Sequence, residues 1–99
     1  MPKPIVWSPL SENDLANILD YLDKNWGKKV SSNFIELTET LLNQISFNPK
    51  QFPIFYKRKK VRKCVLTKHN TLYYRDGKIN IEILRIYDTR QDPDTLKFK

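Results

Sequence analysis

The chain has one cysteine, one histidine and two glycines, and no hydrophobic run near the roughly 18 residues a membrane span requires. Each shortage removes a class of protein. Cys64 alone forms no internal disulfide, so a reducing cytoplasm is the expected home. Cys64 and His69 together do not make a zinc site, and neither a metal nor a cofactor is expected. Cys64 alternates with Arg62 and Leu66, which places it on a strand as a small apolar filler rather than a nucleophile. With 39% hydrophobic and 12% aromatic residues, and so few glycines, the 99 residues read as a single folded domain, 1–99, with a modest core. The opening MPKPIVWSPL lacks the long apolar stretch of a secretory signal, so neither export nor membrane association is expected.

Acidic residues are also missing over a long stretch: there is none between Lys57 and Arg75. Residues 1–56 carry five Lys/Arg and six Asp/Glu, a net of −1; residues 57–99 carry thirteen and five, a net of +8. Such segregation suggests a surface built for a polyanion, either nucleic acid or an acidic protein segment. Lys57, Arg58, Lys59, Lys60, Lys63 and Lys68 are the candidate binding residues.

What remains is an ordered set of elements. Pro4-Ile5-Val6-Trp7 reads as an edge strand, where proline is tolerated. Ser8-Pro9 offers an N-cap with proline at the first helical position, and Ser11-Glu12-Asn13-Asp14 an alternative start. Leu15, Ile18, Leu19 and Leu22 then form one apolar stripe, stopped by Asn25-Trp26-Gly27. A second helix is expected over 28–47, with Val30, Phe34, Leu37, Leu41 and Ile45 on its inner stripe and Leu42 widening it. Asn48-Pro49 ends it. The short link makes the pair an antiparallel hairpin. Residues 49–60 are expected as a loop, with Phe52, Ile54 and Phe55 tucked onto the core. Strands are expected over 61–67, 72–75 and 79–87, the last two joined at Asp76-Gly77, with His69-Asn70 in the turn before them. The order βααβββ implies an α+β domain, its helical hairpin packed on one face of a small, mostly antiparallel sheet.

That order, with SPLSENDLANILDYL, LTKHNTLYYR and ILRIYDTRQDP, resembles the RelE/ParE superfamily of bacterial type II toxins over essentially the whole chain. The resemblance implies a toxin neutralised by a cognate antitoxin in a hetero-oligomer. The basic half and the helical hairpin are together expected to form the antitoxin-binding surface. It also implies one of two targets: RelE-like members cut mRNA in the ribosome, whereas ParE-like members bind DNA gyrase and are not nucleases.

Metal-free RNA cleavage needs a base for the 2′-hydroxyl, a cation for the phosphate and an acid for the leaving oxygen. Arg62, Lys63, Lys68, Arg85 and Arg90 supply cations; His69 is the sole histidine, and Tyr87 shares a strand face with Arg85. The resemblance matches Arg90 to a phosphate-binding arginine of the nucleases. It places Asn70 where RelE carries an arginine, and beyond Arg90 the chain has no tyrosine or histidine. The nuclease set is incomplete, so a ParE-like gyrase inhibitor is the preferred reading, with a ribosome-dependent nuclease as the alternative. A non-toxic RNA-binding module, using Tyr73, Tyr74 and Tyr87 between the cations, is the third.

Overall fold

Ser8 decides where the first helix begins. In the computed structural model, which describes residues 2–88, its hydroxyl accepts the Ser11 N–H at 3.1 Å and Pro9 occupies the first turn. Ser8 is thus the cap of the two candidate starts, and Ser11 lies buried inside the turn, its hydroxyl donating to the Ser8 carbonyl at 2.9 Å. The chain enters this cap from β1 (Ile5–Trp7) and continues as α1 (Pro9–Trp26) and α2 (Lys28–Phe47).

Gly27 alone separates the two helices. Its φ of +93° and ψ of 169° lie where L side chains rarely go, while nothing stands within 4 Å of the position a Cβ would take. The constraint is therefore the backbone, not crowding. Its N–H closes α1 onto Leu22 and Asp23, and its carbonyl accepts the Ser31 N–H that opens α2.

Four strands follow: β2 (Ile54–Tyr56), β3 (Val61–Val65), β4 (Asn70–Asp76) and β5 (Ile81–Asp88). The sheet order is β1-β5-β4-β3-β2; β1 runs parallel to β5 and all other pairs are antiparallel. This is the expected α+β architecture with one additional short strand. Residues 54–56 were expected in a loop, but they pair with β3 as the far edge of the sheet. The β4–β5 connection is also longer than Asp76-Gly77 suggests: Gly77 N–H reaches the Asn80 carbonyl at 2.9 Å, and Ile79, expected to begin a strand, stands 80% exposed at its tip.

The helices cover one face, here the inner face, where Phe34, Leu42, Ile45, Cys64, Leu72, Tyr74, Ile81, Ile83 and Ile86 form the core. Phe52 packs against it, as expected, with its ring edge-on to Tyr74. Ile54 does not; it is exposed, and Phe55 lies on the outer face against Tyr73, centroids 4.7 Å apart. The inner line of α2 is Ser31, Phe34, Thr38, Leu42 and Ile45. Relative to the expected stripe it is rotated, leaving Val30 and Leu37 at the surface. Ser31 and Thr38 fit inside because each hydroxyl has an acceptor, Asp23 Oδ1 of α1 for Ser31 at 2.6 Å and the Phe34 carbonyl for Thr38 at 2.8 Å.

A bulge resets β5. Tyr73 pairs with Arg85 but Tyr74 pairs with Ile83, so Leu84 and Arg85 together oppose Tyr73. Leu84 joins Val61 and Tyr73 in a second, small apolar cluster on the outer face.

Candidate functional site: a groove between the helical hairpin and the end of the sheet

Because β1 pairs only with residues 81–83, the rest of that edge of β5 needs another cover. Helix α1 supplies it. Ser8 N–H donates to the Ile83 carbonyl at 3.0 Å, Ser8 hydroxyl to the Leu84 carbonyl at 3.0 Å, and Asp14 Oδ2 accepts the Ile86 N–H at 3.0 Å. The same carboxylate takes both prongs of Arg85, at 2.7 and 3.0 Å. This bond, more than any other cause, holds the Arg85 guanidinium in its charged form.

Beyond this pair the two helices and the end of the sheet leave an open groove of about 840 Å³. One wall is apolar: Ile18, Tyr21, Leu22 and Trp26 of α1, with Val30, Phe34 and Leu37 of α2. Trp26 is 66% exposed and Tyr21 54%, an unusual display for such large rings. The other wall is polar, made by Thr67 and His69 of the β3–β4 turn, by Asn70, which opens β4 rather than lying in the turn as expected, and by Arg85, Tyr87 and Asp88 at the end of β5. Thr67 orders that turn: its hydroxyl oxygen accepts from the His69 N–H at 3.3 Å and from the Asn70 amide at 3.2 Å.

The residues singled out from the sequence fall into separate places. His69, Arg85 and Tyr87 come together at the polar end of the groove, with the Arg85 guanidinium 5.5 Å from the Tyr87 ring centre. Tyr87 and Arg85 do share a strand face. Arg62 is elsewhere, donating to the Phe52 carbonyl at 2.7 Å and the Lys50 carbonyl at 3.3 Å. With Tyr74, whose hydroxyl donates to the Pro49 carbonyl at 2.6 Å, it staples the 49–53 segment to the sheet. Arg90 lies outside the described residues. Lys57, Arg58, Lys59 and Lys60 form the exposed turn between β2 and β3, with Lys63 exposed on the outer face and Lys68 exposed in the next turn. The cationic turn precedes β3 and the Thr67–Asn70 part of the groove follows it. Cys64 is 1% exposed, and burial pushes its thiol up to about 11, the state of an inert filler. Among the described residues no group of three or more His, Cys, Asp or Glu is placed to hold a metal ion.

Three groove residues carry no local signal of their role. Asp14 looks like a helix-start carboxylate, yet its partners lie 71 and 72 positions away. Trp26 reads as part of a helix stop, and Tyr21 falls off the apolar stripe; only their size at surface positions marks them.

The sequence matches the family model described as "ParE toxin of type II toxin-antitoxin system, parDE" over residues 5–93. No curated protein matches the chain. Among solved structures, the chromosomal ParDE TA system from P. aeruginosa superimposes with a TM-score of 0.73 at 18% identity, over 87% of this chain and 95% of that one. The YoeB/ParE toxin from Agrobacterium tumefaciens does so with a TM-score of 0.61 at 13% identity, over 86% and 96%. At those identities the structures speak for the fold; the family match, running over nearly the whole length, places this chain in the ParE toxin family of type II toxin–antitoxin systems.

Proposed function

We propose that this toxin acts as ParE-like members do, by binding and inhibiting DNA gyrase, and that a cognate antitoxin neutralises it. The observation that carries the non-nuclease reading is the employment of two candidate arginines among the described residues, Arg62 and Arg85. Arg85 is held on two points by Asp14, its side chain 17% exposed, and Arg62 is committed to backbone carbonyls. A cation already neutralised by a fixed carboxylate contributes little to a pentavalent phosphate. Binding a protein target requires only a complementary surface.

The antitoxin is assigned to the groove. Its apolar wall suits a partner segment with large apolar side chains in register with a helix pair, and Trp26, Tyr21 and Leu37 are the expected anchors. The clustering of His69 and Tyr87 at the polar end favours the second reading, a ribosome-dependent nuclease. Purified toxin freed of antitoxin separates the two. Arrest of gyrase supercoiling with mRNA left intact supports the gyrase reading; cleavage of mRNA on translating ribosomes with supercoiling unaffected replaces it.

A further inference from the structure

The backbone of the β2–β3 turn is held in place, while its cations are not neutralised among the described residues. Lys57, Arg58, Lys59 and Lys60 are exposed, and none has an ion-pair partner among the described residues. The turn is nonetheless fixed. Lys60 N–H reaches the Lys57 carbonyl at 3.2 Å, and Arg75 Nε donates to the Lys59 carbonyl at 3.1 Å. Lys60 sits at a φ of +56°, a conformation a lysine adopts only when its surroundings impose it. Arg75 is itself matched by Glu82 at 3.6 Å, so it holds the turn without adding an unpaired charge to it. Lys63, paired with Tyr73 across the ladder and exposed, adds a fifth on the outer face.

An occupant of the groove does not use this charge. The ionised groups of the groove are Asp14, Arg85 and Asp88, a sum of −1, and they lie on α1 and β5, across the sheet from the β2–β3 turn. The five cations need a different partner. We propose that this corner of the toxin is a docking site for the phosphate backbone of duplex DNA, engaged without reading sequence.

Duplex DNA fits better than single-stranded RNA. Single strands are gripped by stacking unpaired bases on free aromatic rings. The corner offers little for that: Tyr73 is 8% exposed and packed against Phe55, and Tyr56, 41% exposed beside Lys57, is a single ring where a strand of bases needs a run of them. An acidic peptide added as a strand fits poorly too. The register of β2 slips between Ile54 and Tyr56, which spoils that edge as a template. Backbone phosphates ask only for closely spaced cations, and the turn presents four on a fixed backbone.

The test is fluorescence anisotropy of the full toxin with a short random-sequence duplex, titrated at several salt concentrations. Five phosphate contacts give a log–log salt slope of about −4.5, a loss of several hundred-fold between about 50 and 200 mM salt. Replacing Lys57, Arg58, Lys59 and Lys60 with Gln should reduce the slope to about −1. Replacing Lys57, Lys59 and Lys60 with Arg should preserve it, which separates charge from folding. Lys28→Gln with Lys29→Gln, in the first helical turn of α2, should leave it unchanged. The proposal is overturned if the helical-turn variant lowers the slope as much as the β2–β3 variant. It is equally overturned if single-stranded RNA or polyglutamate of matched charge binds more tightly than the duplex.

Discussion

Asp14 and Arg85, from opposite ends of the chain, meet in a two-point ion pair with oxygen–nitrogen distances of 2.7 and 3.0 Å, and both side chains are largely shielded from water. The pair is geometrically demanding, since Asp14 Oδ2 also accepts the Ile86 N–H. It joins the first helix to the last strand at the point where β1 no longer covers the edge of β5.

Removing one member leaves the other charge buried and unpaired. Asp14→Ala should therefore destabilise the fold by about 3 kcal/mol. Asp14→Asn keeps an acceptor for Ile86 and should cost less, about 1–2 kcal/mol. Urea unfolding of the two variants gives the ordering, and equal stability of Asp14→Ala and wild type would remove the structural role assigned to the pair.

The segment 49–53 depends on two donors, Tyr74 and Arg62. The Tyr74 hydroxyl is the deeper one: the residue is fully buried, and burial raises its phenol well above the ordinary value. Tyr74→Phe removes only that hydroxyl and strands the Pro49 carbonyl, at a cost of about 1–2 kcal/mol. Hydrogen exchange should show the loss locally, as faster exchange at Gln51 and Phe52 with the helices unaffected.

The fold was legible in the sequence wherever a local signal existed. Ser8-Pro9 marks a cap, Gly27 a stop and Asn48-Pro49 an end, and each stands where such residues function. The β2 strand was not legible, because three residues after Pro53 and before four cations carry no periodicity; only the ladder to Val61 and Arg62 makes them a strand. The β5 bulge left a faint trace, the adjacent apolar pair Ile83-Leu84 that breaks an alternating run. The groove is not legible in the sequence. It depends on α2 being rotated so that Val30 and Leu37 face outward, and small hydroxyl residues at Ser31 and Thr38, which look polar in sequence, are what allow that rotation.

The apolar wall predicts the character of antitoxin binding. Leu37→Glu and Trp26→Ala alter exposed positions, 36% and 66%, so folding should be retained. Each should weaken the complex by at least about 2 kcal/mol, roughly 30-fold, as central anchors do. With so little net charge in the groove, affinity for antitoxin should change little with salt. Calorimetry at low and high salt checks both statements, and a steep salt dependence would move the antitoxin onto the cationic turn.

Cys64 sets an alkaline limit. Its thiol rises from 9.0 to about 11 on burial, so in this window the folded state holds a proton that the unfolded state releases. Stability is therefore retained below pH 9 and lost as pH climbs through 11, by about 2–3 kcal/mol from this group. Tyr74, also raised by burial, adds to the loss above pH 10. Cys64→Ala should flatten the decline between pH 9 and 10 in a series of melting curves, and an unchanged decline would exclude the thiol as its cause.

His69 and Tyr87 decide between the two toxin mechanisms, because they are the proton-transfer groups the groove brings together. His69 is exposed in its turn and Tyr87 half-buried, so His69→Gln and Tyr87→Phe should leave the fold intact. A nuclease that loses its acid or base slows about 10²–10⁴-fold, enough to restore growth of cells expressing the toxin. An inhibitor that works by occupying gyrase loses nothing essential with either proton. Both variants are therefore expected to remain toxic and to remain neutralised by antitoxin. Restored growth with either one, from a variant that still melts cooperatively and still binds antitoxin, would transfer the assignment to ribosome-dependent mRNA cleavage.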